Sequence, residues 1–367
     1  MLDFCWRNKR WCAGPFTVSV SSMSRSHHFR PSRFAAAILV VLTTATVLIP
    51  TSTSASATVM SPATSIAAGK EFACALSPTN TVVCWGSNSD DQLNVPSGTF
   101  SDVAAGRYDA CALTAAQSIL CWGSNLAPFA PYVTNQAVPP SGTTFAAITA
   151  GAFFNCALGV DGSITCWGAD NYVAGVQSGS GVVANVPDGT GFVQVSSGDY
   201  HSCALDGSGA ITCWGANWAG QATPPGGSGF QQVSAGRTHT CAIDETSAIQ
   251  CWGEDTDGRA TPPSGTGFQM LAAAYSHTCA IESTGAIVCW GSNAFGQLDV
   301  PTGVFTEISA GGNMTIAKRA DGVVVAWGEN AAGQTVVPDS VQPVAPSPEP
   351  GPTPSPEPGP TPPHFTG

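Results

Sequence analysis

Short apolar runs, separated by turns rich in Gly, Pro, Asp and Asn, recur along residues 58–340. In the stretch 230–262 the runs are FQQVSAG, HTCAI, AIQCWG and RATP, and each has the length of a β-strand. Apolar runs of this length between turn residues are typical of strands. No window longer than a few residues shows the period of a helix. The pattern therefore predicts an all-β fold in which four strands form one unit.

The unit repeats along the chain. A Trp-Gly pair marks each copy, and successive pairs are 37, 45, 47, 38, 38 and 37 residues apart. A period near 40 with four strands per unit is typical of a β-propeller, in which each repeat forms one blade. We therefore predict a seven-bladed β-propeller over residues 58–340. A linear β-solenoid is the structural alternative, although its repeats are usually shorter. The seven tryptophans are Trp85, Trp122, Trp167, Trp214, Trp252, Trp290 and Trp327.

Six of the copies contain two cysteines ten positions apart. If HTCAI and AIQCWG pair as a hairpin, Cys241 lies opposite Cys251, at a distance that a disulfide bridges after a small adjustment. The seventh copy has Ile316 and Ala326 instead, so both cysteines are lost together. A zinc site is the competing interpretation, but it lacks a Cys-x-x-Cys pair and histidine ligands. The predicted pairs are Cys74/Cys84, Cys111/Cys121, Cys156/Cys166, Cys203/Cys213, Cys241/Cys251 and Cys279/Cys289.

The repeated phrase resembles that of a known family. AGRTHTCAIDETSAIQCWG, followed in other copies by SNAFGQLDVP or ANWAGQATPP, is similar to the repeat of the regulator of chromosome condensation family over about residues 62–339. The resemblance implies a seven-bladed propeller. The best-known member of that family is a nuclear exchange factor for a small GTPase, whereas its secreted branch includes β-lactamase inhibitor protein II. No catalytic residue of the exchange activity can be matched onto this sequence.

The two ends of the chain differ from the repeats. Residues 1–57 combine arginines, an apolar run and the small-residue site Ala55-Ser56-Ala57, which predicts a signal-peptide region whose true start is Met23 if the first residues are misassigned. A transmembrane helix is the alternative for the apolar run. Residues 341–367 contain SPEPGPTP twice and predict a Pro-rich spacer tail. We expect a secreted, extracellular protein that associates with the cell wall and spans no membrane once the signal is removed.

Charge and motif content limit the function. Residues 1–57 hold six of the 12 basic residues and one of the 24 acidic residues, so the remainder carries 6 − 23 = −17. Such a chain is a poor binder of nucleic acid, which is held mainly through Lys and Arg. The sequence predicts no catalytic residue, cofactor or metal. His201, His239 and His277 share one repeat position, which is interpreted as packing because it also accepts Phe and Met. The other copies have Phe72, Asp109, Phe154 and Met314 there.

The loops that vary between copies are the candidate binding site. Loops on a rigid scaffold often carry function, and aromatic and Arg side chains are enriched in binding hot spots. The alternative is a structural role, in which these aromatic rings pack over the ends of the blades. We expect a monomeric, non-enzymatic binding or adaptor propeller for a protein or cell-wall partner. An inhibitor of an extracellular enzyme such as a β-lactamase is the first alternative, and a wall-polysaccharide enzyme and an exchange factor are distant ones. The predicted rim consists of Arg107, Tyr108, Phe153, Tyr200, Trp218, Arg237, Tyr275 and Phe295, and the loops after the Trp-Gly pairs also contain Phe129 and Tyr172.

Overall fold

A computed structural model describes residues 65–126, 133–142, 144–170 and 181–343, together with the backbone of two short strands, Tyr172–Val173 and Val176–Gln177. The chain divides into two units, Met1–Ser54 and Ala55–Gly367, and all described residues belong to the second. The predicted signal-peptide region, most of the Pro-rich tail, Phe129 and the side chain of Tyr172 lie outside the described residues.

The described residues form seven three-stranded antiparallel sheets, one for each repeat. We call the strands of each blade A, B and C in chain order, with A innermost. Blade 1 consists of Ile66–Ala68, Phe72–Leu76 and Val82–Gly86, blade 2 of Phe100–Ala105, Asp109–Thr114 and Ile119–Gly123, and blade 3 of Phe145–Ala150, Phe154–Gly159 and Ile164–Gly168. Blade 4 consists of Phe192–Ser197, His201–Asp206 and Ile211–Gly215, and blade 5 of Gln232–Ala235, His239–Ile243 and Ile249–Gly253. Blade 6 consists of Phe268–Ala273, His277–Glu282 and Ile287–Gly291, and blade 7 of Phe305–Gly311, Met314–Arg319 and Val324–Gly328. Two short 3-10 helices, Thr256–Gly258 and Asp339–Val341, complete the described elements.

The prediction of four strands per blade is wrong for the described residues, because the fourth segment of each repeat forms a turn. The turn connects one blade to the next. In repeat 4 the side-chain oxygen of Gln221 accepts a hydrogen bond from the Ala219 amide at 2.8 Å. The backbone carbonyl of Gln221 accepts a second hydrogen bond from the Trp252 indole of blade 5, also at 2.8 Å. All seven Trp-Gly tryptophans donate in the same way to the turn of a neighbouring repeat. The acceptor is a Gln carbonyl in five contacts and the carbonyl of Val182 or Arg259 in the other two, so every Trp forms an inter-blade contact.

The predicted hairpins and disulfides are confirmed. Strands B and C of blade 5 pair so that Ile243 faces Ile249, and in blade 7 Ile316 faces Ala326 in the same register. An apolar pair fills the space of a disulfide there. In the other six blades the two bridged Cα atoms lie 4.0–4.1 Å apart, and the bridges are Cys74–Cys84, Cys111–Cys121, Cys156–Cys166, Cys203–Cys213, Cys241–Cys251 and Cys279–Cys289.

The two cysteines of each disulfide differ in burial, a difference that the repeated sequence pattern does not predict. The strand-B cysteine is fully buried in every pair, because strand B lies in the middle of its sheet. Its partner is on strand C, at the outer edge of the sheet, and is only partly buried. Each bridge therefore joins the inter-blade core to the outer strand and takes no part in the turns at either end of the blade. The partly buried cysteines are Cys84, Cys121, Cys166, Cys213, Cys251 and Cys289.

The core lies between the blades. In one cluster Cys241, Ile243 and Ile249 of blade 5 pack against Leu271 and Trp290 of blade 6, as the strand alternation predicts.

Polar side chains of strand A face the adjacent blade, where they accept hydrogen bonds from its backbone. Ser196, for example, accepts from the Ala235 amide at 3.0 Å. Strand A is the edge strand of its sheet, so some of its backbone amides have no partner strand. These side-chain oxygens supply the missing acceptors.

Among the described residues, blades 1 and 7 share no strand where the ring closes. The Trp85 indole of blade 1 donates to the Gln334 carbonyl of repeat 7 at 2.9 Å, and the Ser65 hydroxyl donates to Glu307 at 2.6 Å. Ile66 and Val341 belong to one buried cluster at this seam. Gln342 bonds the Val324 backbone, so Ser65 and Pro343, where the described residues begin and end, lie beside the B–C turns of blades 7 and 1.

Among the described residues, no helix is both long and apolar enough to cross a membrane.

Candidate functional site

The turns between strands A and B surround one mouth of the central channel. The turn amides interlock. Arg107 N donates to the Gly151 carbonyl of the next blade, and Arg237 N donates to the Ala274 carbonyl, each at 3.1 Å. A Cβ at Gly236 would lie 2.6 Å from the Ala274 carbonyl oxygen, which is why the Ala-Gly of the repeat requires glycine here. We call this face, formed by the A–B turns and the loops after strand C, the A–B rim.

Aromatic side chains from neighbouring blades contact one another on the A–B rim. The rings of Tyr108 and Phe153 stack at 5.2 Å between centroids, and those of Tyr200 and Trp218 meet at 5.4 Å. Phe153 and Tyr200 are each 5% exposed and share a buried cluster with Ala216, whereas Trp218 is 54% exposed. The patch therefore has a buried base and an exposed indole on top of it.

Two arginines lie beside this patch at the channel mouth. Arg107 is 3.7 Å from the Asp199 carboxylate and donates to the Tyr200 hydroxyl at 3.5 Å. Arg237 is close enough to the Tyr200 hydroxyl to oppose the rise in its pKa, and its guanidinium lies 3.9 Å from the centre of the Tyr275 ring, which is a cation–π contact. Burial raises the pKa of Asp199, while Arg107, Arg237 and Lys70 act in the opposite direction.

The structure brings seven of the eight predicted rim residues into one connected group. The eighth, Phe295, is 50% exposed on the same rim and has no ring or ion-pair contact among the described residues. Phe153 and Tyr200 are buried, so they support the patch and do not form its exposed surface. Asp199 and Lys70 were absent from the predicted rim, although both line the channel mouth. Their position within the variable A–B turns was the available signal.

The three histidines pack between blades. His239 is buried, and its Nε2 lies 2.8 Å from the Thr278 hydroxyl, which itself donates to the Arg259 carbonyl at 3.2 Å. The hydroxyl therefore accepts from His239, which places the ring proton on Nε2. Burial lowers the pKa of His201 and His239 to about 3 and that of His277 to about 4, so all three are neutral near pH 7. No group of three metal-ligating side chains occurs in the part of the chain that the structure describes.

Blade 2 has a different version of this contact. Asp109 occupies the histidine position, and its Oδ2 accepts a hydrogen bond from Asn155 Nδ2 of blade 3 at 2.6 Å. The carboxyl is fully buried, and this burial raises its pKa to about 7, whereas the Asn155 bond acts in the opposite direction. This titratable group lies between two blades and does not reach the A–B rim.

Comparison with known proteins agrees with this architecture. Residues 63–92, 192–221, 230–259 and 271–297 match the family model "Regulator of chromosome condensation (RCC1) repeat". No curated protein sequence is similar enough to this chain to count as a match.

Several solved structures share the fold. The ectodomain of the Physcomitrella patens receptor kinase CR4 is 24% identical, with a TM-score of 0.59 over 72% of each chain. The CRINKLY WD40 ectodomain of the Arabidopsis thaliana receptor kinase ACR4 is 25% identical, with a TM-score of 0.56 over 72% of this chain and 95% of that one. Prp20p of Saccharomyces cerevisiae, described with its binding to Gsp1p and histones, is 15% identical, with a TM-score of 0.58 over 71% of this chain and 81% of that one.

The matched repeats, the seven sheets and these neighbours support the same conclusion. The chain is a seven-bladed β-propeller with four segments that match the regulator of chromosome condensation repeat.

Proposed function

We propose that the chain is a non-enzymatic extracellular binding module that recognises a protein partner through the A–B rim. The observation that carries this proposal is the connected aromatic and arginine patch on that rim, topped by the exposed Trp218. Exposed aromatic side chains beside Arg are the residues that dominate binding energy in protein interfaces. The backbone beneath them is held by interlocked A–B turns, which keeps the surface preorganised.

Six disulfides support the extracellular part of the proposal, because such bonds persist in oxidising compartments. Two of the structural neighbours are receptor ectodomains, which is consistent with this location. The His side chains and Asp109, whose pKa values burial shifts to between about 3 and about 7, are buried between blades, where no substrate reaches them. Binding therefore fits the molecule better than catalysis.

The test begins with the capture of partners from the surface and medium of producing and neighbouring cells, followed by binding measurements with each purified candidate. Purified β-lactamases form a separate arm, because inhibition of an extracellular enzyme is one form that such binding takes. The deciding variant is Trp218→Ala, which should weaken binding by about 2 kcal/mol.

The matched control is Val304→Ala, which changes a side chain that is 56% exposed on the opposite rim. Both variants should keep the thermal stability of the parent protein, because neither side chain belongs to a buried cluster. Equal binding by the parent and Trp218→Ala, or an equal loss in Val304→Ala, would contradict the assignment of the A–B rim.

A further inference from the structure

The channel mouth concentrates the positive charge of a strongly acidic chain. Only six basic residues follow residue 57, against 23 acidic ones. Three of the six, Lys70, Arg107 and Arg237, line this one opening, where Asp199 is the single acidic side chain. The other three have partners elsewhere: Arg259 bonds backbone carbonyls, Lys318 pairs with Glu307, and Arg319 pairs with Asp321.

The two guanidinium groups at the mouth have hydrogen-bond donors to spare. The Nε atoms of Arg107 and Arg237 are buried and donate to no acceptor among the described residues. The face of the Arg237 guanidinium is covered by the Tyr275 ring, so its N–H groups point away from the ring, within the plane of the group. A buried donor without an acceptor is unfavourable, which favours a ligand that supplies one.

Tyr200 adds a third donor. Its hydroxyl oxygen accepts from Arg107, which leaves the hydroxyl proton available to a ligand. Burial and the nearby Asp199 raise the pKa of Tyr200, so this proton is present at neutral pH.

The net charge and the volume of the channel mouth indicate the charge and size of the ligand that it can bind. Lys70 pairs with Glu71 at 2.5 Å and Arg107 faces Asp199, so Arg237 leaves one net positive charge. One net charge suits a monoanion better than a phosphate dianion, which Asp199 would repel. The cavity volume is about 60 Å³, which is enough for one small anionic group. A planar carboxylate matches the planar fork of an arginine.

We propose that the channel mouth binds a carboxylate, held between the guanidinium groups of Arg107 and Arg237. The inference rests on the proposed function in one respect: it names the chemistry that the partner presents to the centre of the A–B rim, as the side chain of a Glu or Asp or as a small free carboxylate.

The experiment uses the chain from Thr58 to Gly367, which contains all the described residues and only four arginines: Arg107, Arg237, Arg259 and Arg319. Their Nε–Hε NMR signals, assigned through single Arg→Lys variants, are followed during titration with sodium acetate at constant ionic strength. We expect saturable shifts of the Arg107 and Arg237 signals, with the other two unchanged. A second arm compares acetyl-Gly-Glu-Gly amide with acetyl-Gly-Gln-Gly amide. Binding of the Glu peptide indicates a protein side chain, and binding of acetate alone indicates a free carboxylate.

Variants test the assignment of residues. Arg237→Lys keeps the charge but removes the fork, and should weaken acetate binding by about tenfold. Asp199→Asn removes the competing carboxylate and should tighten it by about tenfold. Arg319→Gln, which removes an equal charge far from the mouth, should leave binding unchanged. Thermal melts of each variant show whether it is folded. Asp199→Asn should bind acetate more tightly only if acetate binds at the channel mouth, beside residue 199.

The proposal is overturned if neither acetate nor the Glu peptide shifts the two signals, if Arg319→Gln weakens binding as much as Arg237→Lys, or if inorganic phosphate binds about tenfold more tightly than acetate. The measurement needs no partner, so its failure leaves the proposed binding function intact. Loss of partner binding in Trp218→Ala, conversely, says nothing about acetate.

Discussion

Replacement of Asp109 by Asn should stabilise the protein, and more so as the pH rises. The carboxyl is fully buried between blades 2 and 3, with Asn155 as its only side-chain donor among the described residues. Burial raises its pKa from 3.8 to about 7. The folded state therefore holds a proton that the unfolded chain has already released, and stability falls as the pH rises from about 4 to about 7.

The magnitude follows from this difference in pKa. A difference of about 3 pKa units corresponds to about 4 kcal/mol, of which about 3 kcal/mol develops between pH 5 and pH 8. An Asn side chain at position 109 has no proton to release and keeps an oxygen that accepts from Asn155. The stability gained by Asp109→Asn should therefore be about 3 kcal/mol larger at pH 8 than at pH 5.

Guanidinium unfolding, followed by tryptophan fluorescence at pH 5, 6, 7 and 8 with the disulfides intact, measures this difference. The comparison of variant with parent at each pH cancels the titration of all other groups. Asp161→Asn is the matched control, since Asp161 is exposed in a hairpin turn, where Ser163 lowers its pKa. Its effect should not depend on pH across this range. A flat difference for Asp109→Asn, or a variant that is less stable than the parent at pH 8, would refute the reasoning.

Two further outcomes concern the blades. Replacing both Cys241 and Cys251 by Ala removes a cross-link over ten residues and should lower the free energy of unfolding by about 3 kcal/mol, which a denaturation curve measures; an unchanged curve would show that packing alone holds the hairpin. The depressed pKa of His239, about 3, means that the unfolded chain takes up a proton that the folded chain refuses below pH 6.5. The free energy of unfolding therefore decreases as the pH falls from 6.5 towards 3, by about 1.4 kcal/mol per pH unit for this side chain. This decrease should be smaller in His239→Phe than in the parent protein. Equal acid sensitivity of the two proteins would contradict the neutral, buried state of His239.

The sequence was sufficient for the repeats, the strand pairing and the disulfides, because those depend on spacing within one hairpin. It failed at the fourth segment. RATP (259–262) has the length of a strand, but the structure uses this segment as a turn whose backbone carbonyl at Arg259 accepts from Trp290. That contact lies between repeats, and a pattern read within one repeat does not contain it.

The candidate site was predicted in its location but not in its internal order. Variable aromatic residues indicated the A–B rim, yet their burial depends on which rings meet across blades. Tyr200 is covered by Trp218 and Phe153 lies against Tyr108, while Phe295 stays exposed. The approach of Asp199 to Arg107, 92 positions earlier in the chain, follows from the curvature of the ring and is absent from any local sequence signal.

The position of Ser65 and Pro343, where the described residues begin and end, determines how the propeller can be displayed. Strand A of blade 1 starts beside the B–C turns, and Pro343 lies next to Gly322 on that same side. Any support joined directly at Ser65 or Pro343 is therefore attached to the face opposite Trp218. A tethered molecule would present its aromatic patch outward, with the thickness of the propeller between the patch and the anchor. A tag or a lipid anchor joined directly at Ser65 or Pro343 would leave the A–B rim sterically open to large partners.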